Sequence, residues 1–67
     1  KLRSVIANNI RQRRIELGIT QPELARLLGK TQPYISQLET GARSTPVGTL
    51  ETLSKHLQTT PDELVKK

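Results

Sequence analysis

The apolar positions of this 67-residue chain recur at helical spacing and divide it into short amphipathic segments. In the first segment, Ile6, Ile10 and Leu17 lie four and seven residues apart, on one face of a helix that Gly18 ends. No segment alternates between apolar and polar residues at every second position, so the pattern predicts no strands. We therefore expect an all-α fold in which short helices surround one aliphatic core.

A threonine followed within two residues by a proline marks the expected start of each later helix, at Thr20, Thr31, Thr45 and Thr60. A threonine hydroxyl can accept a hydrogen bond from an N–H of the first helical turn, where the missing N–H of proline does no harm. Glu23 and Glu63 are placed to complete capping boxes with Thr20 and Thr60. Pro46 is expected at the first position of the fourth helix. The prediction is a bundle of five helices.

Residues 21–40 have the pattern of two helices joined by a tight turn. Ala25 is small enough to lie where the helices cross, and Gly29 begins the turn, where a positive φ is least costly for glycine. A close crossing, a tight turn and apolar anchors on both helices are what a helix-turn-helix requires. The residues expected in the core are Leu24, Ala25, Leu28, Ile35, Leu38, Leu50, Leu53 and Leu57.

The charge of the chain favours a polyanionic partner. Eleven Lys and Arg residues against six Asp and Glu give a net charge of +5. Most of the excess lies in residues 1–17, whereas residues 18–42 are neutral. A basic domain of this kind is typical of proteins that bind nucleic acid or an anionic membrane surface. No helix pairs a broad apolar face with a basic one, so we do not expect membrane binding.

The composition excludes several kinds of chemistry. The chain has no cysteine and a single histidine, so it can form neither a disulfide framework nor a thiolate or all-histidine metal site. No two of its acidic residues are placed to act as a catalytic acid/base pair. No nucleophilic side chain lies at a spacing that would pair it with a general base. We therefore expect no enzymatic activity, no metal and no cofactor.

The motifs of the central unit resemble the Cro/repressor-type helix-turn-helix family of phage and bacterial regulators. They are Thr20-Gln21-x-x-Leu24-Ala25-x-x-Leu28-Gly29 and Gln32-x-x-Ile35-Ser36-x-Leu38-Glu39-x-Gly41. The resemblance extends from the arginine-rich first helix to Pro61-Asp62-Glu63-Leu64. It implies a lambda-repressor-like fold and a sequence-specific regulator of transcription that acts as a repressor. Such a regulator would be encoded by a bacterium or a phage and would act in the cytoplasm, on the nucleoid. The helix at about 32–40 would then read the major groove of double-stranded DNA.

The outward face of that helix fits this function on physical grounds. It is uncharged and carries Gln32, Pro33, Tyr34, Ser36, Gln37 and Thr40. Glutamine can pair with adenine through two hydrogen bonds, and an apolar side chain can contact a thymine methyl group. The basic residues around this neutral surface would hold the phosphate backbone.

The family resemblance also implies roles for individual residues. Gln32, Pro33, Tyr34 and Gln37 match its base-reading positions, and Gln21, Arg43, Ser44 and Thr45 match its phosphate-binding positions. Arg14 and Glu39 match a pair that ties the first helix to the reading helix. The chain departs from the family at Pro33, Val47 and Gly48. Arg11 and Arg13 are open to two interpretations, solvated charges or phosphate contacts.

The resemblance further implies a homodimer on a pseudo-palindromic operator, with half-sites about one helical turn (~34 Å) apart and a dimer surface near residues 57–65. We treat residues 1–67 as a single helix-turn-helix domain. Two alternatives stay open at this point. The chain could be an antitoxin that binds a toxin and represses its own operon, or a DNA-binding or targeting module of a larger protein.

Overall fold

The computed structural model describes residues 2–67, which form five α-helices and no strand. The helices are α1 (Leu2–Glu16), α2 (Gln21–Leu28), α3 (Gln32–Thr40), α4 (Val47–His56) and α5 (Pro61–Leu64). The prediction of an all-α bundle with a helix-turn-helix at 21–40 is confirmed for this part of the chain.

A continuous aliphatic core joins all five helices. Its buried members are Ile10, Leu24, Ala25, Ile35, Leu38, Leu50, Leu53, Leu57 and Leu64. Leu28, which was expected in the core, is only half-buried and packs against its edge, because it lies at the last position of α2. α3 packs against both α1 and α2, so the helix that carries the candidate reading face is supported from two sides.

The turn between α2 and α3 depends on Gly29, which has φ +66°. Its N–H and that of Lys30 donate to carbonyls of the last turn of α2, at 3.2 Å and 2.8 Å. A residue with a Cβ would be strained at this φ, whatever the space around it. The glycine therefore sets the angle at which α3 leaves α2.

The predicted caps are present at α2 and α3 and differ at the two later helices. Thr20 and Glu23 exchange both hydrogen bonds of a capping box. Thr60 accepts from the N–H of Glu63, but the Glu63 carboxylate pairs with Lys66 instead of returning to Thr60. The prediction for α4 was wrong by one residue: Pro46 is the N-cap, with extended backbone, and the helix begins at Val47. The extended ψ of 155° at Pro46 keeps it outside the helix, and no side chain caps this end.

Candidate nucleic-acid interface

The outward face of α3 presents exposed polar side chains. Gln32, Pro33, Gln37 and Thr40 are exposed, whereas Tyr34 and Ser36 are half-buried. On the opposite side of the helix, Ile35 and Leu38 are buried in the core. The 3.6-residue period thus separates anchoring residues from those that can meet a ligand.

Glu39 is the buried centre of a polar network behind this face. Its side chain is 1% exposed and that of Arg14 is 12% exposed. Arg14 donates through Nε to Oε2 of Glu39 at 2.6 Å and through Nη2 to Oε1 at 3.0 Å. Its third nitrogen, Nη1, donates to the carbonyl of Ile19 at 2.8 Å. This two-pronged ion pair locks α1 to α3, the arrangement that the family resemblance implied for these two residues.

Gln21 carries the network from Glu39 out to the surface. Its Nε2 donates to Oε1 of Glu39 at 3.0 Å, and its Oε1 accepts from Nε2 of Gln32 at 2.9 Å. An amide has a fixed donor end and acceptor end, so the carboxylate behind Gln21 dictates that its oxygen faces Gln32. The orientation of the exposed Gln32 amide is therefore fixed from inside the protein.

A second cluster surrounds Tyr34, in the first turn of α3. Nε of Arg43, in the loop after α3, donates to Oε1 of Gln37 at 2.9 Å. The Arg43 guanidinium lies 4.9 Å from the centre of the Tyr34 ring, and Nζ of Lys30 lies 5.2 Å from it. Both cations are within the range of cation–π attraction. The structure thus brings together Tyr34, Gln37 and Arg43 and adds Lys30, which the sequence had not singled out.

The remaining residues predicted to bind phosphate lie in the same loop, between α3 and α4. Ser44 is exposed and Thr45 is half-buried. The main-chain N–H of Arg43 donates to the carbonyl of Gln37 at 3.2 Å. In this loop the predicted role of backbone N–H groups therefore rests on Ser44 and Thr45.

Arg13 has a structural role that neither of its two interpretations included. Its Nε donates to the carbonyl of Leu57 at 2.9 Å, its Nη2 to that of Gln58 at 3.0 Å, and its Nη1 to Glu16. Its guanidinium therefore caps the C-terminal end of α4, where unpaired carbonyls and the helix dipole favour a cation. Arg11 is exposed.

One turn earlier on α1, Asn9 does the same for α5. Its Nδ2 donates to the carbonyls of Leu64 and Lys66, at 2.8 Å and 2.6 Å. Sequence reasoning missed Asn9 and the capping role of Arg13, since main-chain acceptors carry no residue-specific signal. Their spacing of four residues, which places two polar side chains on one face of α1, was the available sign.

The sequence of this chain is similar to that of a known protein family. A helix-turn-helix family model matches residues 10–64, most of the chain. The chain is also 38% identical over 64 residues to an uncharacterized HTH-type transcriptional regulator, y4dJ, of Sinorhizobium fredii. That alignment covers 96% of this chain and 83% of the relative. The chain belongs to the Cro/repressor-type helix-turn-helix family.

Several solved structures share the same fold. A hypothetical transcription factor, NHTF, from Neisseria is 30% identical with a TM-score of 0.91, covering 98% of this chain and 76% of that one. The restriction-modification controller protein C.AhdI from Aeromonas hydrophila is 28% identical with a TM-score of 0.84, covering 91% and 92%. The clp gene regulator ClgR from Corynebacterium glutamicum is 25% identical with a TM-score of 0.90, covering 96% and 83%.

The fold also occurs within longer proteins. The chain matches 37% of the length of HppE, crystallised with Fe(II) and substrate, at a TM-score of 0.88 and 23% identity, a likeness in fold alone. Within residues 2–67, no group of three or more His, Cys, Asp or Glu side chains could hold a metal ion. Across the same residues, no helix has both the length and the apolarity needed to cross a membrane.

Proposed function

We propose that this helix-turn-helix protein is a sequence-specific regulator of transcription that reads the major groove of double-stranded DNA with α3. The observation that carries the proposal is the state of the two exposed glutamines. Gln32 and Gln37 are each held by one hydrogen bond from within the protein. An exposed glutamine that only solvates a helix needs no such support, whereas a reading amide gains affinity when it is fixed before binding.

The hydrogen bonds that hold these amides leave their reading groups available. Gln32 uses one N–H on Gln21, so its second N–H and its oxygen can meet N7 and N6–H of adenine. The Gln37 oxygen accepts from Arg43 through one lone pair, and its second lone pair and both N–H groups are left for a base. Both side chains can therefore be oriented by the protein and read a base at once.

The surrounding residues support this geometry. Pro33 and the Tyr34 ring offer apolar contact to a thymine methyl group. Gln21 retains one N–H for a phosphate, and Arg43 and the N–H groups of Ser44 and Thr45 follow the reading helix. Phosphate contacts of this kind set the register of the protein on the duplex, and the base contacts provide the sequence preference.

We propose that regulation requires two copies of the protein bound to one operator. A homodimer whose contact surface includes residues 57–65 would place two copies of α3 on a pseudo-palindrome, about one helical turn (~34 Å) apart. Bound there, it would block transcription as a repressor, in the cytoplasm. The restriction-modification controller and the clp gene regulator, two of its structural neighbours, are described as regulators.

Selection from a random pool of double-stranded DNA at physiological salt tests the proposal. We expect enrichment of a palindromic site whose half-sites are about one helical turn apart, with adenine at positions that face the glutamines. Sedimentation of the protein with and without the selected DNA then reports whether two copies bind. A pool that shows no enrichment after repeated rounds would contradict the function.

Two alternatives to an independent regulator, an antitoxin and a module of a larger protein, stay predictions. Co-purification of the full-length protein with the product of a neighbouring gene distinguishes the antitoxin. A reading frame that continues well beyond residue 67 distinguishes the module.

A further inference from the structure

We propose that Lys30 is an additional contact to the DNA backbone, and that Lys30 and Arg43 act as one two-cation site organised by Tyr34. This inference rests on the proposed function and extends its set of phosphate-binding residues. Neither the family motif nor the sequence pattern pointed to Lys30, which lies just before the N-cap of α3.

The two cations come from opposite ends of the reading helix and meet at one ring. Lys30 precedes α3 and Arg43 follows it, yet both lie about 5 Å from the centre of Tyr34. The two positive charges are thus no further apart than about one Debye length, ~10 Å at 0.1 M salt. Each cation is attracted by the electron-rich ring, but the ring carries no formal charge and therefore does not neutralise the pair.

No carboxylate of the described chain neutralises this pair. The ion pairs in residues 2–67 are Arg13–Glu16, Arg14–Glu39 and Glu63–Lys66, and neither Lys30 nor Arg43 takes part in any of them. Two cations held at one ring without an acidic partner raise the local positive potential, which an anion with closely spaced charges relieves. A nucleic-acid backbone is such an anion.

The same contacts restrict the motion of two long side chains before binding. Arg43 is held by the ring and by Gln37, and Lys30 by the ring. A free lysine or arginine loses considerable rotamer freedom when it is immobilised on a ligand. Tyr34 is therefore a positioning residue, and its ring lowers the entropic cost of both phosphate contacts.

The salt dependence of binding to the selected site tests whether Lys30 contacts phosphate. For Lys30→Ala we expect the slope of log affinity against log salt to fall in magnitude by about 0.9, the value for one phosphate on duplex DNA. Affinity should fall by the same factor on selected and scrambled sequences. The double variant Lys30→Ala with Arg43→Ala should lose about twice as much slope.

Lys55→Ala is the matched control, since Lys55 is also exposed but lies in the last turn of α4, which packs on α2 and α5. Its slope should equal that of the unchanged protein. A Lys30→Ala slope that also equals it, on a protein that binds its selected site, overturns this inference and leaves the proposed function standing. Failure to select any site overturns both.

Two substitutions at Tyr34 test the positioning role. Tyr34→Phe keeps the ring and should retain the affinity and the salt slope on scrambled DNA. Tyr34→Leu removes the ring and should weaken binding to scrambled DNA about two- to fivefold, as the loss of an exposed cation–π contact implies. If Leu performs as well as Phe there, the ring does not organise the cations. Thermal unfolding of each variant shows that the fold is intact.

Discussion

Arg13 and Arg14 are neighbours on α1, yet their guanidinium groups bind different parts of the molecule. Arg13 binds the main-chain carbonyls of Leu57 and Gln58, where α4 ends. Arg14 binds the Glu39 carboxylate, behind the reading helix. Consecutive helical residues point about 100° apart, so one helix can brace both regions.

The two networks differ in where they end. The network around Arg13 ends on main-chain carbonyls within the protein, so we expect it to contribute to the stability of the fold alone. The network from Arg14 continues through Glu39 and Gln21 to Gln32, whose remaining amide groups are exposed. A buried ion pair is weak evidence of stability. Here the pair also orients an exposed side chain, because Glu39 holds Gln21 and Gln21 holds Gln32.

The sharpest test of this difference is a pair of alanine substitutions at the two arginines. Arg14→Ala should lower the free energy of unfolding by about 3–5 kcal/mol, because it leaves the Glu39 charge buried without its counterion. That loss is comparable with the whole stability expected of a domain this small. Urea denaturation followed by circular dichroism measures it, and a loss below about 1 kcal/mol would contradict a buried, tightly coupled pair.

Replacing both partners separates stability from orientation. Arg14→Met combined with Glu39→Leu should recover most of the stability lost in Arg14→Ala, since apolar residues of similar volume often replace a buried ion pair without loss. The double variant nevertheless removes the acceptor that orients Gln21. We expect it to fold and to discriminate less well among DNA sequences, a result that a purely structural pair would not give.

Arg13→Ala should have a smaller effect, about 1–2 kcal/mol of unfolding free energy, in the same urea experiment. Its side chain is 34% exposed, so water replaces part of what is lost. We expect its salt slope of DNA binding to match that of the unchanged protein, because its donors are engaged within the fold. A slope lowered by about 0.9 would instead assign Arg13 to the phosphate contacts.

The same two arginines show what could be predicted from the sequence. The Arg14–Glu39 pair joins two charged side chains in a recognisable motif, so a family resemblance implies it. The bonds of Arg13 and Asn9 end on main-chain carbonyls, which every residue carries. Such bonds follow only from the angle at which α1 crosses the ends of α4 and α5. The folded chain alone defines that angle.

Helix positions were predicted well where a local signal was complete. The capping box at Thr20 and Glu23 is present in full, because all its atoms lie within one turn. At Glu63 the same motif had a competitor, since Lys66 lies three residues on and attracts the carboxylate. The contact of Lys30 with Tyr34 could not be predicted for a related reason. Its partner Tyr34 lies across a helix start, where spacing rules for helices do not apply.

The smallest expected effect concerns pH and the capping box of α2. The main-chain N–H of Thr20 donates to the Glu23 carboxylate and, with the Thr20 hydroxyl, holds the pKa of Glu23 below its ordinary value. A lowered pKa in the folded state stabilises the protein above the ordinary pKa of glutamate, and that stability is lost as pH falls through the lowered value. Glu23→Gln keeps a capping side chain without this titration.

We therefore expect thermal stability to fall less steeply with acid in Glu23→Gln than in the unchanged protein. Glu51→Gln is the control, as Glu51 is exposed in the middle of α4. The thermal stability of this control should fall with acid as steeply as that of the unchanged protein. If the thermal stability of all three proteins falls equally steeply with acid, Glu23 does not form the capping box in solution.

The most direct measurement of the central claim, that the protein orients Gln32 to read a base, compares selected DNA sites for two glutamine variants. Gln32→Ala should lose about 1–3 kcal/mol of preference at one or two base pairs and keep its affinity for scrambled DNA. Gln12→Ala, which removes an exposed glutamine from α1, should select the same site as the unchanged protein. If Gln32→Ala also selects that site with the same preference at every position, α3 does not read DNA through Gln32 and the account is wrong.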